Sequence, residues 1–423
     1  MKRNPHRTIG AAGAFMLMAA TALAQTESPG APTAPPVQNQ ALAQRPAPPH
    51  RKSQQQNPAP KLGDALPGLT AAELDLFTAG KEEFLNVETI ASGLGPIFNN
   101  VSCVACHSTP VAGGTSQIFV TRFGRTINGI FDPLESFGGS LLQDHAIDPA
   151  CQEVIPPEAN TIAHRQTPPL FGLGLIEAIP DDAIKSLALR PAVDGITGHA
   201  AIITDVTTGA ERVGRLGMKC QHATILGFSG DAYLNEMGIT NRFFPHENAP
   251  NGNAALLAMF DTTLDPEDVA DPITNRSDID TVADFQRLLA PAQPLPFTPA
   301  ALAGQRAFND IGCAHCHMPQ LMTGPSTVAA LNHKPVNLYS DLLLHDMGTL
   351  GDGIAQSAAT AKEMRTTPLW GLRFTAPYLH DGRALTIDAA IRGHDGQGKA
   401  ARDRYARLRP EDSRALLEFL GSL

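Results

Sequence analysis

The residues whose types and spacing most clearly point to chemistry form two copies of one five-residue pattern. In each copy two cysteines are separated by two residues and a histidine follows directly, at Cys103–His107 and again at Cys313–His317. Two thiols at this spacing can form thioethers with the two vinyl groups on one edge of a haem, and the next imidazole then lies beneath the iron. The pattern predicts two covalent c-type haems held by Cys103, Cys106, Cys313 and Cys316, with His107 and His317 as the proximal iron ligands.

Paired cysteines have two other common interpretations, a zinc site and a redox-active dithiol. A zinc site needs further Cys or His pairs at finger spacing, and a dithiol enzyme does not need the adjacent histidine. Because both copies carry the histidine, the haem interpretation is preferred.

The N-terminal residues predict export from the cytoplasm. Three basic residues among the first seven precede a short apolar run and a small-residue cleavage pattern that ends at Ala24. Such a run is too short to span a bilayer, and the sequence contains no second long apolar run. We therefore expect residues 1–24 to be a signal peptide and the mature protein to be periplasmic, without a transmembrane segment.

The two cysteines outside the haem motifs are Cys151 and Cys220. In an oxidising compartment they could form a disulfide. Cysteine is also a small apolar residue that is often buried as a free thiol, and the sequence leaves both alternatives open.

Composition divides the rest of the chain. Residues 25–68 are rich in Pro, Gln and Ala and predict a flexible linker. The remainder is long enough for two domains, which we place at residues 69–290 and 291–423. The formal net charge of −10 argues against a nucleic-acid partner and suits a basic protein partner.

An internal repeat supports this division. A run beginning at Arg165 and ending at Leu173 has a counterpart from Arg365 to Leu372, with Pro, Leu, Gly and Leu at matching positions. A Gly and a Phe four residues apart, and therefore on one helical face, occur at 80 and 84 and again at 304 and 308. The halves look like duplicated cytochrome c units. This resemblance implies that the first and last helices of a unit pack together, with Gly where they cross.

The secondary-structure signals favour helices. One helix is predicted to begin after the cap Thr298 and to end near Ile311, and the last helix to begin near Pro410. Only residues 117–121 and 201–206 have strong strand character. We expect a mainly α fold of two tandem cytochrome c-like domains with long loops, each binding one haem.

From Arg365 onward the sequence resembles the bacterial dihaem cytochrome c peroxidases and the related dihaem enzyme that matures methylamine dehydrogenase. Other stretches resemble the dihaem oxidoreductase branch of that superfamily. The matching segments are residues 95–99, 113–114, 235–240, 340–348, 368–372, 375–383 and 386–391.

The resemblance implies a distal ligand for the second haem. The peroxidases place a methionine fourteen residues after the histidine of their Tyr-x-His-Asp-Gly run, and counting from His380 gives His394. We expect His394 to be the sixth ligand opposite His317, with Met347 or His345 as substitutes. A second imidazole in place of a thioether lowers the reduction potential.

The resemblance also implies that peroxide chemistry occurs at the first haem. The family uses a distal glutamate in a Glu-Met pair, which Glu236 and Met237 match. Its role would be acid–base catalysis, for which a pKa raised by the apolar haem face is suitable. Two departures from the pattern are Met218, where the family often has a tryptophan between the haems, and Leu226, where it has a glutamine.

Two further groups of site residues follow from the resemblance. Arg165 and Arg365 are expected to pair with haem propionates, or alternatively to bond backbone carbonyls. The peroxidases hold a calcium ion between their domains, and Thr375, Pro377 and Gln166 stand at the ligand positions, with Gln166 replacing an asparagine.

The leading hypothesis is a peroxidase-like oxidoreductase. A small periplasmic donor, a cytochrome c or a cupredoxin, would reduce the second haem, and electrons would pass to the first, where hydrogen peroxide is reduced. The alternatives are a plain electron-transfer cytochrome and a dihaem enzyme that oxidises a protein partner. The sixth position of the first iron separates an enzyme from a carrier, and His145 or His164 could close it.

Overall fold

The computed structural model describes residues 59–423. The predicted signal peptide and residues 25–58 of the predicted linker lie outside this range. The end of that linker is folded onto the rest of the chain, because Leu66 is buried and its backbone N–H donates to the Leu288 carbonyl at 2.8 Å. Within the described range, no helix has the length and apolar character needed to cross a membrane.

Short helices separated by long connections make up much of residues 59–423. The α-helices, in chain order, are α1 Ala71–Leu85, α2 Cys103–Cys106, α3 Leu173–Glu177, α4 Asp181–Ala188, α5 Ile225–Met237, α6 Ala254–Phe260, α7 Asp278–Leu288, α8 Pro299–Asp310, α9 Ile387–Arg392, α10 Lys399–Tyr405 and α11 Pro410–Ser422.

The strands are mostly short and pair in small antiparallel sheets. They are β1 Ile97–Phe98, β2 Phe119–Ile127, β3 Ile130–Asp132, β4 Leu141–Leu142, β5 His145–Ala146, β6 Thr161–Gln166, β7 Ala201–Thr204, β8 Glu211–Gly214, β9 Leu321–Met322, β10 Pro335–Val336, β11 Leu344–Asp346 and β12 Glu363–Arg365.

The prediction of a mainly α fold is wrong. Residues 59–423 are 34% helical and 16% strand, a mixed α/β composition with several small sheets. The main sheet is built on β2, which pairs with β3, β4 and β6, and the β2–β6 register runs from Phe119 opposite Gln166 to Gly124 opposite Thr161. Segments that we expected to be irregular loops thus satisfy their backbone groups by pairing with each other.

Both predicted strand segments overlap strands of the structure. Residues 117–121 overlap the start of β2, and residues 201–206 contain β7, which forms a hairpin with β8. What the sequence did not show was the partner of β2, since β6 is some 40 residues further along the chain and carries a weak strand signal.

Two helix pairs repeat the same packing. α1 crosses α7 at Gly80, where an added Cβ would lie 2.3 Å from the Thr281 carbonyl oxygen. α8 crosses α11 at Gly304, where a Cβ would lie 2.0 Å from the Ala415 carbonyl oxygen. The glycines therefore permit backbone contact at the crossing, as the repeat predicted for the second pair.

The predicted start of α8 is confirmed. The Thr298 hydroxyl accepts the Ala301 N–H at 3.0 Å, Pro299 occupies the first helical position, and the helix is capped at its other end by Ile311. A capping hydroxyl followed by proline satisfies one free N–H and removes another, which fixes where the helix begins.

The hydrophobic core does not follow the predicted domain boundary at residues 290 and 291. One buried cluster joins residues from both sides, among them Leu175 and Ile184 with Leu338 and Leu342. The other two large clusters centre on the helix pairs, one on Phe84 and the other on Phe308.

A buried ion cluster also connects the two halves. Asp352 lies between Arg165 at 2.7 Å and Lys219 at 2.9 Å, and all three side chains are nearly or fully inaccessible to solvent. Burial alone would raise the pKa of Asp352, but the charges of Arg165 and Lys219 outweigh it and lower that pKa. The carboxylate is therefore ionised, and two buried basic side chains share it as their counter-ion.

Candidate functional site

The first Cys-x-x-Cys-His motif forms one tight helical turn. Ser102 caps it by accepting the Ala105 N–H at 3.2 Å, and the His107 N–H donates to the Cys103 carbonyl at 3.0 Å. This turn brings both thiols and the imidazole to one side of α2. The ring of His107 lies 6.2 Å from that of Phe84, which α1 supplies.

The second motif forms a similar turn, a 3₁₀ helix over Cys313–His315 that has no side-chain cap. The His317 N–H donates to the Cys313 carbonyl at 2.9 Å, and Phe308 of α8 places its ring 6.5 Å from the imidazole. The Gly-and-Phe helix of each half therefore supports the proximal histidine of that half, which explains why the two features repeat together.

Both proximal histidines are prepared to bind a metal through Nε2. The Nδ1 of His107 donates to the Gly114 carbonyl at 3.1 Å, and that of His317 to the Tyr339 carbonyl at 3.0 Å. Burial lowers the pKa of each ring to about 4, so both are neutral at pH 7. A neutral imidazole with Nδ1 fixed by a carbonyl presents its lone pair at Nε2.

His394 lies beside His317 at the second motif. Its ring centroid lies 6.4 Å from that of His317, and its Nδ1 donates to the Ala390 carbonyl at 2.8 Å, which leaves Nε2 free. Burial lowers the pKa of His394 as well. Two imidazoles on opposite sides of one metal ion, each at about 2 Å, have ring centres about 6 Å apart. The pair therefore fits a six-coordinate haem iron.

The substitutes for His394 fit this role less well. His345 uses both ring nitrogens, with Nε2 at 2.9 Å from Asp341 and Nδ1 at 2.8 Å from the Gln397 amide oxygen. Met347 lies close to His394, since both side chains approach Gly398, and of the two it is His394 whose ring contacts that of His317.

Glu236 stands at the end of α5 beside the first motif. Its carboxylate accepts a hydrogen bond from the Asn99 amide at 2.8 Å, and its backbone carbonyl accepts the N–H groups of Asn99 and Asn100. Burial and then the charge of Glu236 raise the pKa of the Cys106 thiol to about 11. The charge of Glu236 therefore acts on the thiol that the first haem would use.

The electrostatics of Glu236 suit proton transfer. Burial raises the pKa of its carboxyl group, while the hydrogen bond from Asn99 and the charge of Arg122 act in the opposite direction. Burial prevails, and a raised pKa moves a carboxyl group toward the pH range in which it can both accept and release a proton.

Asn99 and Arg122 are site residues that we did not predict. Burial, together with the charge of Arg165, lowers the pKa of Arg122 to about 10, and its Nε has no hydrogen-bond partner among the described residues. Asn99 lay within a segment that carried the family resemblance, which was a usable signal. Arg122 lies on β2, and only the pairing of β2 with β4 and β6 brings it to the site.

The two departures from the family pattern have identifiable positions. The Met218 carbonyl accepts the backbone N–H of Arg365 at 2.9 Å, so this residue links the two halves through its backbone. Leu226 is in the first turn of α5 and packs beside the core. Neither brings a polar side chain to Glu236 in place of the missing family residues.

The two arginines of the repeat have different partners. Arg165 binds Asp352 and also donates to the Gln356 amide oxygen at 2.6 Å. Arg365 donates to the Gly217 carbonyl at 2.8 Å and to the Thr366 carbonyl at 3.4 Å, which is the backbone role that we considered as the alternative. A propionate partner for either stays a prediction.

The predicted calcium ligands offer free oxygen atoms. Gln166 donates through its amide nitrogen to the Ser116 carbonyl at 3.1 Å, and its amide oxygen accepts no hydrogen bond from the described residues. The carbonyls of Thr375 and Pro377 are likewise without a donor in residues 59–423. These oxygens suit a hard cation, and calcium binding there stays a prediction.

The other histidine and cysteine candidates lie elsewhere. His145 and His164 are both exposed. His145 lies in β5 opposite Phe98, and His164 contacts the Thr121 hydroxyl at 3.3 Å. Cys151 and Cys220 are both free and buried, so the structure shows the second of the two alternatives that the sequence left open.

A comparison with protein families gives one match. The model of the family described as "Di-haem oxidoreductase, putative peroxidase" matches residues 157–423. The match includes the second haem motif, Glu236 and His394, and the first haem motif precedes it. No curated protein matches the chain significantly.

Comparison with solved structures gives distant similarities. A chain of Kuenenia stuttgartiensis hydrazine synthase is 14% identical, with a TM-score of 0.40 over 93% of this chain and 100% of that chain. The diheme peroxidase BthA from Burkholderia thailandensis is 15% identical, with a TM-score of 0.37 over 82% and 86%. A MauG-like protein associated with microbial copper homeostasis is 18% identical, with a TM-score of 0.31 over 60% and 89%.

Proposed function

The chain belongs to the di-haem oxidoreductases, and from this premise we propose that it is a periplasmic c-type dihaem enzyme that reduces hydrogen peroxide. Electrons enter from a small donor protein, a cytochrome c or a cupredoxin, at the site of His317 and His394. They pass to the site of His107, where peroxide reacts.

The observation that carries this proposal is the setting of Glu236. Its carboxylate is half-buried beside the first haem motif, is fixed by the Asn99 amide, and is acted on by the charge of Arg122. A carboxylate in a plain electron carrier needs no such support. An ionised Glu236 can take the proton from one peroxide oxygen through Oε1 or Oε2 and return it to the other, which makes that oxygen a better leaving group.

The two sites differ in the side chain that faces the histidine of each Cys-x-x-Cys-His motif. His317 faces a second imidazole, and an iron held by His317 and His394 would have both protein ligands it needs for electron transfer. His107 has no histidine partner among the described aromatic contacts; its ring contacts Phe84. When bound at His107, haem supplies the iron centre that delivers electrons to peroxide. The protein side chains would then position the substrate and move its protons.

Arg122 has a separate role in this scheme. Its free Nε lies near the charge of Glu236 and can donate to an anionic oxygen. A fixed cationic donor stabilises charge that develops on the leaving oxygen. The acid–base group and the charge-stabilising group therefore come from different elements, α5 and β2.

The test is electron paramagnetic resonance of the holoprotein, resting and half-reduced, with and without hydrogen peroxide, together with steady-state reduction of peroxide by a reduced donor. We expect a high-spin signal at one haem that peroxide removes, and a fall of about 10²–10⁴ in kcat for Glu236→Gln. Glu158→Gln, at an exposed glutamate, is the matched control and should keep full activity.

Two low-spin haems whose signals peroxide does not change in either redox state would overturn the proposal. The protein would then be an electron-transfer cytochrome. Peroxide consumption that requires a protein as the electron source, and that a small donor cannot support, would instead indicate an enzyme that oxidises a protein partner.

A further inference from the structure

Gln143 carries a buried hydrogen-bond acceptor that nothing in residues 59–423 satisfies. The residue lies in the connection between β4 and β5 and is only 2% exposed. Its side-chain oxygen, Oε1, is buried and has no partner among the described residues. Such an atom is costly to bury unless something binds it, so this oxygen requires an explanation.

The orientation of the Gln143 amide is fixed by its neighbours. Its Nε2 donates to the backbone carbonyl of Asn235 at 3.2 Å. Because a carbonyl can only accept, the nitrogen of the amide must face it, and Oε1 is left on the other arm. The backbone is held as well, since the Gln143 N–H donates to the Glu153 carboxylate at 2.9 Å. The unpartnered oxygen therefore cannot exchange places with the amide nitrogen to find a donor.

Hydrogen bonds attach Gln143 to the surroundings of Glu236 in two places. Asn235, which accepts from the Gln143 amide, is the residue directly before Glu236. Asp144, the residue after Gln143, donates its N–H to the Asn99 side-chain oxygen at 3.0 Å. The same Asn99 side chain holds the Glu236 carboxylate through its nitrogen. The buried acceptor is thus part of the candidate site.

Arg122 is bound to the same stretch of chain. Its backbone is paired with Leu141, two residues before Gln143, and its Nη1 donates to the Ser140 hydroxyl at 3.1 Å. Its Nε is a second buried atom without a hydrogen-bond partner in residues 59–423. This part of the structure therefore offers one unused donor and one unused acceptor beside the carboxylate of Glu236.

We propose, on the basis of the proposed function, that Gln143 selects hydrogen peroxide over alkyl hydroperoxides. Hydrogen peroxide carries one hydrogen on each oxygen. Glu236 takes the proton from one oxygen and returns it to the other, and Oε1 of Gln143 accepts the O–H that this second oxygen already carries. No bond to Gln143 forms or breaks, and the second oxygen leaves as water.

An alkyl hydroperoxide has a carbon on the leaving oxygen in place of that hydrogen. It cannot donate to Gln143, and it places an alkyl group against a buried oxygen that stays unpaired. A site built to bond a substrate O–H rejects an analogue that lacks it for this reason. Gln143 therefore sets the specificity of the site, whereas Glu236 carries out the proton transfer.

The experiment compares kcat/KM for hydrogen peroxide and for methyl hydroperoxide in the wild-type holoprotein and in Gln143→Met, whose side chain has a similar length and no amide. We expect the wild type to prefer hydrogen peroxide by about tenfold or more. The variant should lose this preference, mainly through a higher KM for hydrogen peroxide, since the lost bond is made in the bound substrate as well. Gln286→Met, at a buried glutamine that donates to the Ser229 hydroxyl, is the matched control and should keep the preference.

A second measurement does not depend on turnover. Carbon monoxide bound to the reduced holoprotein has an infrared C–O stretch whose frequency rises when a negative oxygen faces the ligand. Gln143→Met removes such an oxygen and should lower the frequency. Gln286→Met should leave it unchanged.

The possible results separate this inference from the proposed function. Equal kcat/KM values for the two peroxides in the wild type, an unchanged ratio in Gln143→Met, or an unmoved infrared band would each overturn the role of Gln143 while peroxide reduction itself stands. A wild type that reduces neither peroxide and binds no carbon monoxide would overturn the proposed function, and this inference with it.

Discussion

The side-chain amide of Asn99 donates a hydrogen bond of 2.8 Å to the carboxylate of Glu236, although 137 residues separate them in the chain. The bond stabilises the ionised carboxylate against burial. It therefore sets how far the pKa of Glu236 rises, and with it the pH range in which this carboxylate can accept a proton.

Replacing Asn99 by Ala should shift the acid limb of the peroxidase pH profile to higher pH. Loss of a donor to the carboxylate raises the pKa of Glu236, so the base becomes protonated, and inactive, at a higher pH than in the wild type. A hydrogen bond to a charged group corresponds to about one pKa unit. Steady-state kcat/KM against pH measures the shift; the high-pH plateau should be retained. Asn248→Ala removes an amide bound to Asn235 and should leave the pH profile unchanged. If the acid limb does not move in Asn99→Ala, the assignment of Glu236 as the base is contradicted.

Replacing His394 by Met should raise the reduction potential of the second haem, because a thioether stabilises the reduced iron more than an imidazole does. A redox titration followed by visible absorption measures this change. In His394→Gly the same haem should lose its low-spin signal, and added imidazole should restore it. His246→Gln, at an exposed histidine, serves as the control. An unaltered spectrum in His394→Gly would show that another residue is the ligand.

Gly304→Ala should destabilise the protein by about 1–3 kcal/mol, the range for inserting a group into a packed core. The added Cβ would lie 2.0 Å from the Ala415 carbonyl oxygen, so α8 and α11 must separate. Gly421→Ala is the matched control, because it is in α11 with no atom within 4 Å of an added Cβ. It should be neutral or stabilising by up to about 1 kcal/mol. Urea unfolding of both variants tests the difference, and equal stabilities would contradict the crossing.

Asp352→Asn should cost about 3–5 kcal/mol, because it leaves Arg165 and Lys219 buried without a counter-charge. The folded-state pKa of Asp352 is below its ordinary value, so its stabilising contribution is present above about pH 4 and is lost as the pH falls through the folded pKa. The difference between variant and wild type should therefore narrow in acid. Asp182→Asn breaks an exposed pair and should change stability by less than about 1 kcal/mol. Denaturation across pH 3–7 measures both variants. Equal effects of the two substitutions would contradict a stabilising role for the buried ion cluster of Asp352, Arg165 and Lys219.

The haem motifs, the start of α8 and the glycine crossings could be predicted because each depends on residues close together in sequence. A cysteine pair with its histidine, a cap with its proline, and a glycine four residues from a phenylalanine are local patterns. The packing of Phe84 and Phe308 against the proximal histidines agrees with this local reading.

The fold class and half of the first site could not be predicted, because they depend on strand pairing. Arg122 reaches the site only since β2 pairs with β6, and no local signal identifies that partner. Asp352 belongs to no sequence motif. Its role as a buried counter-ion follows only from the positions of Arg165 and Lys219 on either side of it. Short strands in long connections also led us to overestimate the helical content.

The charge of Asp352 is shared between the halves of the chain, and so is the apolar cluster that joins Leu175 and Ile184 to Leu338 and Leu342. A gene fragment that encoded only residues 69–290 would produce a chain in which Arg165 and Lys219 lack their counter-ion Asp352 and an apolar face is exposed. The repeated haem units thus resemble separable modules in sequence, yet the polypeptide must be synthesised nearly to its end before either unit can reach its final stability.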